Sequence, residues 1–251
     1  MKNIITITSL LAMATVANAE LVAHVWDNVP QTSVSGKAPA TWSVSDNALS
    51  WTSGKLWSVA VTVGSEAFTS EATPFTLLSL EQPENKTFSG LSGITVQNDR
   101  LKMPLFSQSG DPSVVGETPV STVVTGKKDL TFVFNRGSGD KPSISVYADG
   151  DFSQELLTVT YNSSYVFSRT PNITSFYFGG IGDVNDKMKF PSNDQAGSFN
   201  LLGAAYWTGG NVDETALTKY YNSAVPEPSA FGLLAGLGAL ALVGARRRRR
   251  K

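Results

Sequence analysis

The sequence of 251 residues predicts an all-β fold, and three observations support this prediction. Apolar and polar side chains alternate with a period of two in residues 56–63, 130–134, 143–148 and 173–178, which is the pattern of strands with one buried face. Glycine-rich turn signals separate these stretches. The chain is also long enough to bury one sizeable core. Many short strands joined by glycine-rich turns are typical of a sandwich or a barrel.

Further strands are predicted from shorter runs of the same kind. They cover residues 21–26, 75–80, 93–97, 100–106, 156–161 and 199–207. The phase of the alternation places Trp57 and Trp207 on the apolar faces of their strands, so both are predicted to lie in the core. The strand at 56–63 is predicted to be half-buried, with Ala60 and Thr62 on its other face.

One short helix is predicted near the end of the body. Asn211 and Glu214 are spaced as the cap and the N3 residue of a capping box, which predicts a helix over 212–221. Apolar residues on one side of this helix would pack it against a sheet. That side carries Val212, Ala216, Leu217 and Tyr220.

Three segments of the body occur in a characteristic order. They are the hairpin 143–151, SISVYADGD, the strand 173–180, ITSFYFGG, and the helical segment 216–221, ALTKYY, which follows a last strand. Together they resemble the laminin-G-like and concanavalin A-like jelly rolls, over about residues 20–223. The resemblance implies two antiparallel sheets packed face to face, and the jelly-roll domain is assigned to residues 20–224.

The C-terminal end has three parts with different physical properties. Pro226, Glu227 and Pro228 form a segment that cannot continue a helix or a strand, because proline lacks an N–H and fixes φ. Residues 229–245 are mostly apolar and would form a transmembrane helix roughly 25 Å long, just short of a bilayer core of roughly 30 Å. The cations of the basic tail 246–251 would cost on the order of 18 kcal/mol to move through the bilayer. They therefore hold this end in the cytoplasm.

This arrangement resembles the PEP-CTERM sorting signal of bacterial envelope proteins, over residues 225–251. In that family a membrane-embedded exosortase recognises the Pro-Glu-Pro segment and removes the tail. The resemblance therefore implies Pro226, Glu227 and Pro228 as the recognition element and an exosortase as a partner. The alternative is a plain stop-transfer anchor that is never cut.

The N-terminal end has the features of a secretory signal peptide. Lys2 is followed by a short apolar stretch, and Ala17, Asn18 and Ala19 form a small-x-small cleavage site. Residues 1–19 are therefore predicted to direct export through the Sec machinery and to be removed. The alternative, an uncleaved N-terminal anchor, fits less well because the apolar stretch is short.

The charge of the body limits the classes of ligand. Without Lys2 and the six terminal cations, residues 20–225 hold 13 basic and 20 acidic side chains, a net charge of about −7. An acidic body disfavours nucleic acid, which requires a basic footprint. Neutral glycans and divalent cations are compatible with it. The chain contains no cysteine, which excludes disulfides, thiolate nucleophiles and cysteine metal sites.

No catalytic motif is found, so the protein is predicted not to be an enzyme. Laminarinase-type hydrolases place carboxylates on one strand as Glu-x-Asp-x-x-Glu, and this motif is missing. Asp149 and Asp151 flank Gly150 in a predicted turn instead. The one histidine, His24, lies in a predicted strand, where packing is its more common role. A carbohydrate-active enzyme with an unrecognised carboxylate pair stays open as an alternative.

No cofactor is expected, and calcium is the one metal that the available donors suit. The hard oxygen ligands that Ca²⁺ prefers occur in loop-like stretches. They are Asp149, Asp151, Asp183, Asn185 and Asp186. No loop has an ordered ligand spacing, and Asp and Asn also favour turns for reasons of their own. A calcium site and ordinary turn residues therefore both stay open.

Two tryptophans are candidate glycan contacts. Trp42 and Trp51 flank the polar stretch 43–50, where an exposed ring could pack against a sugar, although burial in the core is the alternative. The predicted function is a non-catalytic envelope or extracellular-matrix protein that contacts glycans, exopolysaccharide or other surface polymers. A purely structural matrix protein without a small ligand is a further alternative.

Overall fold

The computed structural model describes residues 21–225, except for residues 28, 30–32, 36–39, 45–48, 51–54, 70–74, 82–91, 105–112, 138–140, 162–171, 174 and 180–196. The described residues form a two-sheet antiparallel sandwich with a short helix at the C-terminal end of the body. The predictions of an all-β fold and of two antiparallel sheets are confirmed.

Most of the strands lie close to the stretches that the alternation predicts, but the strands Ser33–Val34, Ala40–Ser43, Leu49–Ser50 and Ser113–Pro119 were not predicted. They are β1 Val22–Val25, β2 Ser33–Val34, β3 Ala40–Ser43, β4 Leu49–Ser50, β5 Trp57–Gly64, β6 Phe75–Glu81, β7 Ser92–Gln97, β8 Arg100–Pro104, β9 Ser113–Pro119, β10 Asp129–Asn135, β11 Ser143–Ala148, β12 Leu157–Thr160, β13 Asn172–Ile173, β14 Ser175–Gly179 and β15 Phe199–Thr208. The helices are α1 Val120–Val124 and α2 Glu214–Ala224, and a 3-10 turn covers Ser65–Ala67.

The first sheet has the order β1-β15-β5-β10-β11-β12, and β2 also pairs with β15. The second sheet has the order β3-β14-β6-β7-β8-β9, and β13 pairs with β4 as a separate two-stranded sheet. Neighbouring strands in both large sheets are antiparallel. Several strands that are distant in sequence pair with each other, as β5 and β15 do in the first sheet.

The main core lies between the two sheets. Aromatic rings from both sheets meet in it. The ring of Phe176 on β14 lies 5.7 Å from that of Tyr206 on β15, and Phe75 on β6 lies 5.6 Å from Phe199 on β15. Each large apolar side chain buried here contributes about 1.5–3 kcal/mol to stability. This core holds the sandwich together.

Strand β5 is buried on both faces, so the prediction of a half-buried strand is wrong. Its inner face packs in the main core, and its outer face carries Ala60 in a second cluster with Val133, Trp207 and Leu217. Helix α2 supplies the covering side chains. Trp207 is buried as predicted, but in this second cluster. The alternation along β5 could not reveal the helix, because the helix follows 150 residues later.

Helix α2 begins later than the capping box predicts. Asp213 is the N-cap residue, since its backbone is extended and its Oδ1 accepts a hydrogen bond of 2.8 Å from the Ala216 amide. Asn211 lies before the cap, so its predicted role is wrong. The predicted apolar face is confirmed, because Leu217 and Tyr220 are buried in the second cluster.

Helix α1 is absent from the prediction. Its residues are mainly β-branched, which disfavours a helix locally. Asp99 accepts hydrogen bonds of 2.8 Å from the amide of Ser121 and 2.5 Å from its hydroxyl, and Val120 and Val124 are buried. Tertiary packing therefore overrides the local preference.

The predicted signal peptide, its cleavage residues Ala17 and Ala19, and residues 226–251 lie outside the described residues. Within the part of the chain that the structure describes, no helix has the length and apolar character needed to span a membrane. The transmembrane helix at 229–245 stays a prediction.

Candidate functional site

A chain of buried hydroxyl groups fixes α2 to the outer face of the first sheet. The Tyr220 Oη lies 3.0 Å from Thr62 Oγ1 on β5, which in turn lies 2.9 Å from Thr131 Oγ1 on β10. The Tyr220 ring also meets Trp207 edge-on, with centroids 5.7 Å apart. Burial raises the pKa of Tyr220 far above its ordinary value. The phenol therefore keeps its proton at physiological pH.

The next residue of α2 makes a second attachment. Tyr221 donates a hydrogen bond of 2.8 Å to Oδ2 of Asp129, whose exposed fraction is only 5%. Burial raises the pKa of Asp129, and the bond from Tyr221 partly offsets that rise. The Tyr221 ring packs edge-on against Phe152 and closely over Gly150, where an added Cβ would lie 2.6 Å from Tyr221 Cε1.

Val225, the last described residue, makes a third contact between the end of α2 and the first sheet. The amide of Val225 donates to the Tyr221 carbonyl at 3.0 Å, and the Val225 side chain is buried. It packs against Gly203 of β15, where an added Cβ would lie 3.2 Å from Val225 Cγ2 and 2.8 Å from Tyr220 Oη. A glycine at 203 is therefore what lets the helix end approach the sheet.

The outer face of the second sheet has a different character, because it carries mainly hydroxyl side chains. Strand alternation directs Phe176 and its apolar counterparts into the core and their neighbours outward. The side chains on this face are those of Thr41, Ser43, Thr76, Ser79, Thr95, Lys102, Ser175 and Tyr177. Thr76, Ser79 and Thr95 are buried. Thr41 and Ser43 on the edge strand β3 are exposed, and Ser175 and Tyr177 beside them are half-buried. We call these four residues the hydroxyl face.

The hydroxyl face and α2 lie on opposite sides of the sandwich. Helix α2 covers the outer face of the first sheet, and the hydroxyl face belongs to the outer face of the second sheet. The main core separates them. Helix α2 and Val225 thus lie on one side of the sandwich, and the exposed polar residues Thr41 and Ser43 lie on the other.

Residues 224–250 match the family described as the PEP-CTERM protein-sorting motif. The chain carries a PEP-CTERM sorting segment. This match confirms the predicted sorting motif at the level of sequence. It begins at Ala224, the last residue of α2. Pro226, Glu227 and Pro228 lie outside the described residues. The PEP-CTERM segment follows the buried helix end without an intervening linker.

The body is similar in fold to parts of larger solved structures. A Trypanosoma rangeli sialidase is 14% identical with a TM-score of 0.42, over 78% of this chain and 28% of that one. The binding domain of botulinum neurotoxin DC, solved with rat synaptotagmin II, is 12% identical with a TM-score of 0.42, over 82% of this chain and 46% of that one. The chain therefore spans less than half the length of either structure. No curated protein matches the sequence.

Trp42, a predicted glycan contact, lies in an aromatic cluster at the edge of the sandwich. Its ring is stacked on Trp26 at 5.5 Å and contacts Phe176 and Tyr206 at 5.6 and 5.2 Å. Trp42 is half-buried as a residue, and these neighbours cover part of its ring. Trp51, the other predicted contact, lies outside the described residues. The role of both in binding stays a prediction.

The two described acidic candidates for calcium are each engaged by donors of the protein itself. Asp149 accepts a hydrogen bond of 2.8 Å from the Lys128 amide and lies 3.8 Å from Lys127 Nζ. Asp151 accepts from the amide and the hydroxyl of Ser153, and these bonds lower its pKa. Both residues act as turn residues in the β11–β12 region.

No group of three potential metal-ligating side chains occurs among the described residues. The other calcium candidates, Asp183, Asn185 and Asp186, lie outside them. The calcium site therefore stays a prediction. His24, the one histidine of the chain, stacks on Tyr206 with centroids 4.4 Å apart and lies on the edge strand β1. This position matches the packing role expected for it.

The residues that attach α2 were not predicted. Thr62, Asp129 and Gly203 lie in different strands, and no local pattern relates them to Tyr220 or Tyr221. The hydroxyl face, by contrast, has a sequence signal. Serine, threonine and tyrosine recur at alternate positions of β3 and β14, opposite the apolar residues of the same strands.

Proposed function

We propose that the chain is an exported bacterial envelope protein, displayed outside the inner membrane by its PEP-CTERM segment, with a non-catalytic body that contacts glycans or other surface polymers. The observation that carries this proposal is the sorting match at residues 224–250, which continues directly from the buried end of α2. The body is thus attached to its sorting segment through an integral part of its fold.

The segment itself would work in three steps. Residues 1–19 direct export and are removed, with cleavage after Ala19. Residues 229–245 cross the inner membrane, and the basic tail stays in the cytoplasm. An exosortase then recognises Pro226 to Pro228 and removes the tail. The released or anchored body lies on the outer side of the membrane.

The hydroxyl face supports a role in contact with neutral glycans. Serine, threonine and tyrosine hydroxyls both donate and accept hydrogen bonds, which suits the hydroxyl groups of sugars. The face is exposed at Thr41 and Ser43, on the side of the sandwich opposite to α2. The net charge of about −7 in the body disfavours polyanionic ligands held by charge. We therefore assign neutral polysaccharide as the ligand class.

A glycan array with the body of residues 20–225 tests this assignment. We expect binding to neutral polysaccharides, and we expect Thr41→Glu to abolish it by placing a charge on the hydroxyl face. Thr218→Glu, at an exposed position of α2, is the matched control and should bind as wild type does. Equal binding by both variants would exclude the hydroxyl face, and turnover of any polysaccharide would exclude a non-catalytic role. Repeating the array with a calcium chelator tests the calcium prediction.

Cell fractionation tests the sorting part separately. The protein should be found in the envelope or the medium, and mass spectrometry should find its N-terminus at Glu20 and the basic tail removed. A full-length product in the cytosol with both ends intact would overturn the proposal.

A further inference from the structure

We propose that the hydroxyl groups of Thr76 and Ser79 form an inner subsite of the glycan-binding surface, where they bind the hydroxyl groups of a neutral sugar residue. The subsite rests on the proposed function and extends the hydroxyl face inward onto strand β6. Its basis is that both hydroxyl groups are buried on the outer face of the second sheet without a hydrogen-bond partner among the described residues.

The subsite lies at the inner end of a row of hydroxyl side chains that crosses three neighbouring strands. Tyr177 on β14 pairs with Thr41 on β3 and with Ser79 on β6, so the three side chains lie on the same face. Neighbouring strands are about 4.8 Å apart, which makes the row about 10 Å long. Thr41 is exposed, Tyr177 is half-buried and Ser79 is buried. A polysaccharide that binds at the edge strand β3 therefore has β6 at the inner end of its path.

The two hydroxyl groups of β6 are unusual because they are buried and unpaired. Thr76 and Ser79 are each 2% exposed, and neither Oγ1 of Thr76 nor Oγ of Ser79 has a partner in the part of the chain that the structure describes. Thr95 pairs with Thr76 across β6 and β7, and its own hydroxyl donates to the Lys102 carbonyl at 3.3 Å. Almost all buried polar groups in folded proteins are hydrogen-bonded. Thr76 and Ser79 thus keep their hydrogen-bonding capacity for a group outside the chain.

A buried threonine of the first sheet shows the ordinary arrangement. Thr62 is fully buried, and its Oγ1 lies 3.0 Å from Tyr220 Oη and 2.9 Å from Thr131 Oγ1. Burial of a hydroxyl group without such bonds lowers stability, and a valine or an alanine would fill the positions of Thr76 and Ser79 without this cost. Packing therefore does not account for the hydroxyl groups of β6, whereas binding does.

The chemistry of the subsite selects an uncharged, hydroxyl-rich ligand. Serine and threonine hydroxyls each donate one hydrogen bond and accept others, and a sugar hydroxyl has the same capacity. Thr76, Ser79 and Tyr177 carry no charge at neutral pH, so a charged group buried among them would lose its hydration without a counter-charge. A neutral sugar residue satisfies both hydroxyl groups without that loss.

The experiment compares stability and binding in the same variants. The double variant Thr76→Val, Ser79→Ala should weaken binding of the neutral polysaccharide that gives the strongest array signal by at least ten-fold in Kd, since each lost hydrogen bond is worth about five-fold. The same variant should melt about 2–4 °C higher per substitution, because it no longer buries unpaired hydroxyl groups. Titration calorimetry measures Kd, and scanning calorimetry measures Tm.

Two further variants serve as controls. Thr62→Val makes the same substitution at a threonine whose hydroxyl is paired, and it should lower Tm and leave Kd unchanged. Thr76→Ser keeps a hydroxyl group at the subsite and should bind as wild type does. Circular dichroism verifies that each variant is folded.

The outcomes separate the subsite from the proposed function. If the double variant binds the polysaccharide as tightly as wild type, the hydroxyl groups of β6 do not contact the sugar and the inference is overturned. If its Tm does not rise, the hydroxyl groups are already satisfied in the free protein, which also overturns the inference. In both cases glycan binding by the hydroxyl face stands. If wild type binds no neutral polysaccharide, the proposed ligand class is refuted together with the subsite.

Discussion

The phenol oxygen of Tyr220 lies 3.0 Å from Oγ1 of Thr62, although the two residues are 158 positions apart in sequence. This contact joins the helix that precedes the sorting segment to the central strand of the first sheet. Because both hydroxyl groups are buried, neither can form a hydrogen bond to water in place of its partner unless the helix separates from the sheet. The contact makes α2 an integral part of the sandwich up to Val225.

Tyr220→Phe should lower the free energy of unfolding of the purified body by about 1 kcal/mol, the usual net value of one hydrogen bond. The cost stays moderate because Thr62 keeps its second partner, Thr131. Urea denaturation measures the change, with Thr218→Ala as the exposed control. A variant as stable as wild type would show that the hydrogen bond contributes nothing.

Gly203→Ala should destabilise the body by about 1–3 kcal/mol through overpacking, because the new methyl group would lie 2.8 Å from Tyr220 Oη and 3.2 Å from Val225 Cγ2. Tyr220→Phe removes the closer of these atoms. The double variant should therefore lose less stability than the sum of the two single variants. Additive losses in thermal denaturation would contradict this steric relationship.

Asp213→Ala should cost about 1 kcal/mol, the typical value for loss of an N-cap side chain. Asn211→Ala is the matched control and should change stability little, because Asn211 is exposed and precedes the cap. Differential scanning calorimetry compares the two. The reverse ranking would restore Asn211 as the cap that the sequence pattern predicts.

Asp129 should make the body less stable as the pH rises. Burial raises its pKa above 3.8 in the folded state, so the folded state binds its proton more tightly than the unfolded chain does. The stability from this group is present below pH 3.8 and decreases as the pH rises through the raised pKa. Asp129→Asn keeps an oxygen that can accept the hydrogen bond of Tyr221. Over this pH range the free energy of unfolding of the variant should rise relative to that of the wild type, by at most about 1.4 kcal/mol per pH unit.

Asp151→Asn is the control for this pH series, with the opposite sign. Hydrogen bonds from Ser153 lower the pKa of Asp151, so its ionised form favours the folded state. The free energy of unfolding of Asp151→Asn should therefore fall relative to that of the wild type as the pH rises. Urea denaturation at several pH values measures both differences. If both variants became more stable relative to wild type as the pH rises, the opposite pKa shifts of Asp129 and Asp151 would be contradicted.

Most strand positions could be predicted because apolar and polar residues alternate along those stretches of the sequence. The alternation in 143–148 coincides with β11, and the apolar face of α2 was predicted correctly at Leu217 and Tyr220. The burial of both faces of β5 could not be predicted in this way, since it depends on where α2 lies. The cap was misplaced because Asn211 and Asp213 both satisfy the local preference, and only the helix path decides between them.

The sequence by itself determined the sorting segment at the C-terminal end, because such a segment acts through local composition, charge and length, and the signal peptide at the other end stays a prediction. It also determined the alternating strands of an all-β body. Only the tertiary structure decided that Tyr220 contacts Thr62, that Val225 is buried against Gly203, and that Thr41 lies on the side of the sandwich opposite to α2. These relationships depend on which distant strands pair and in what register, and no local pattern encodes such pairing.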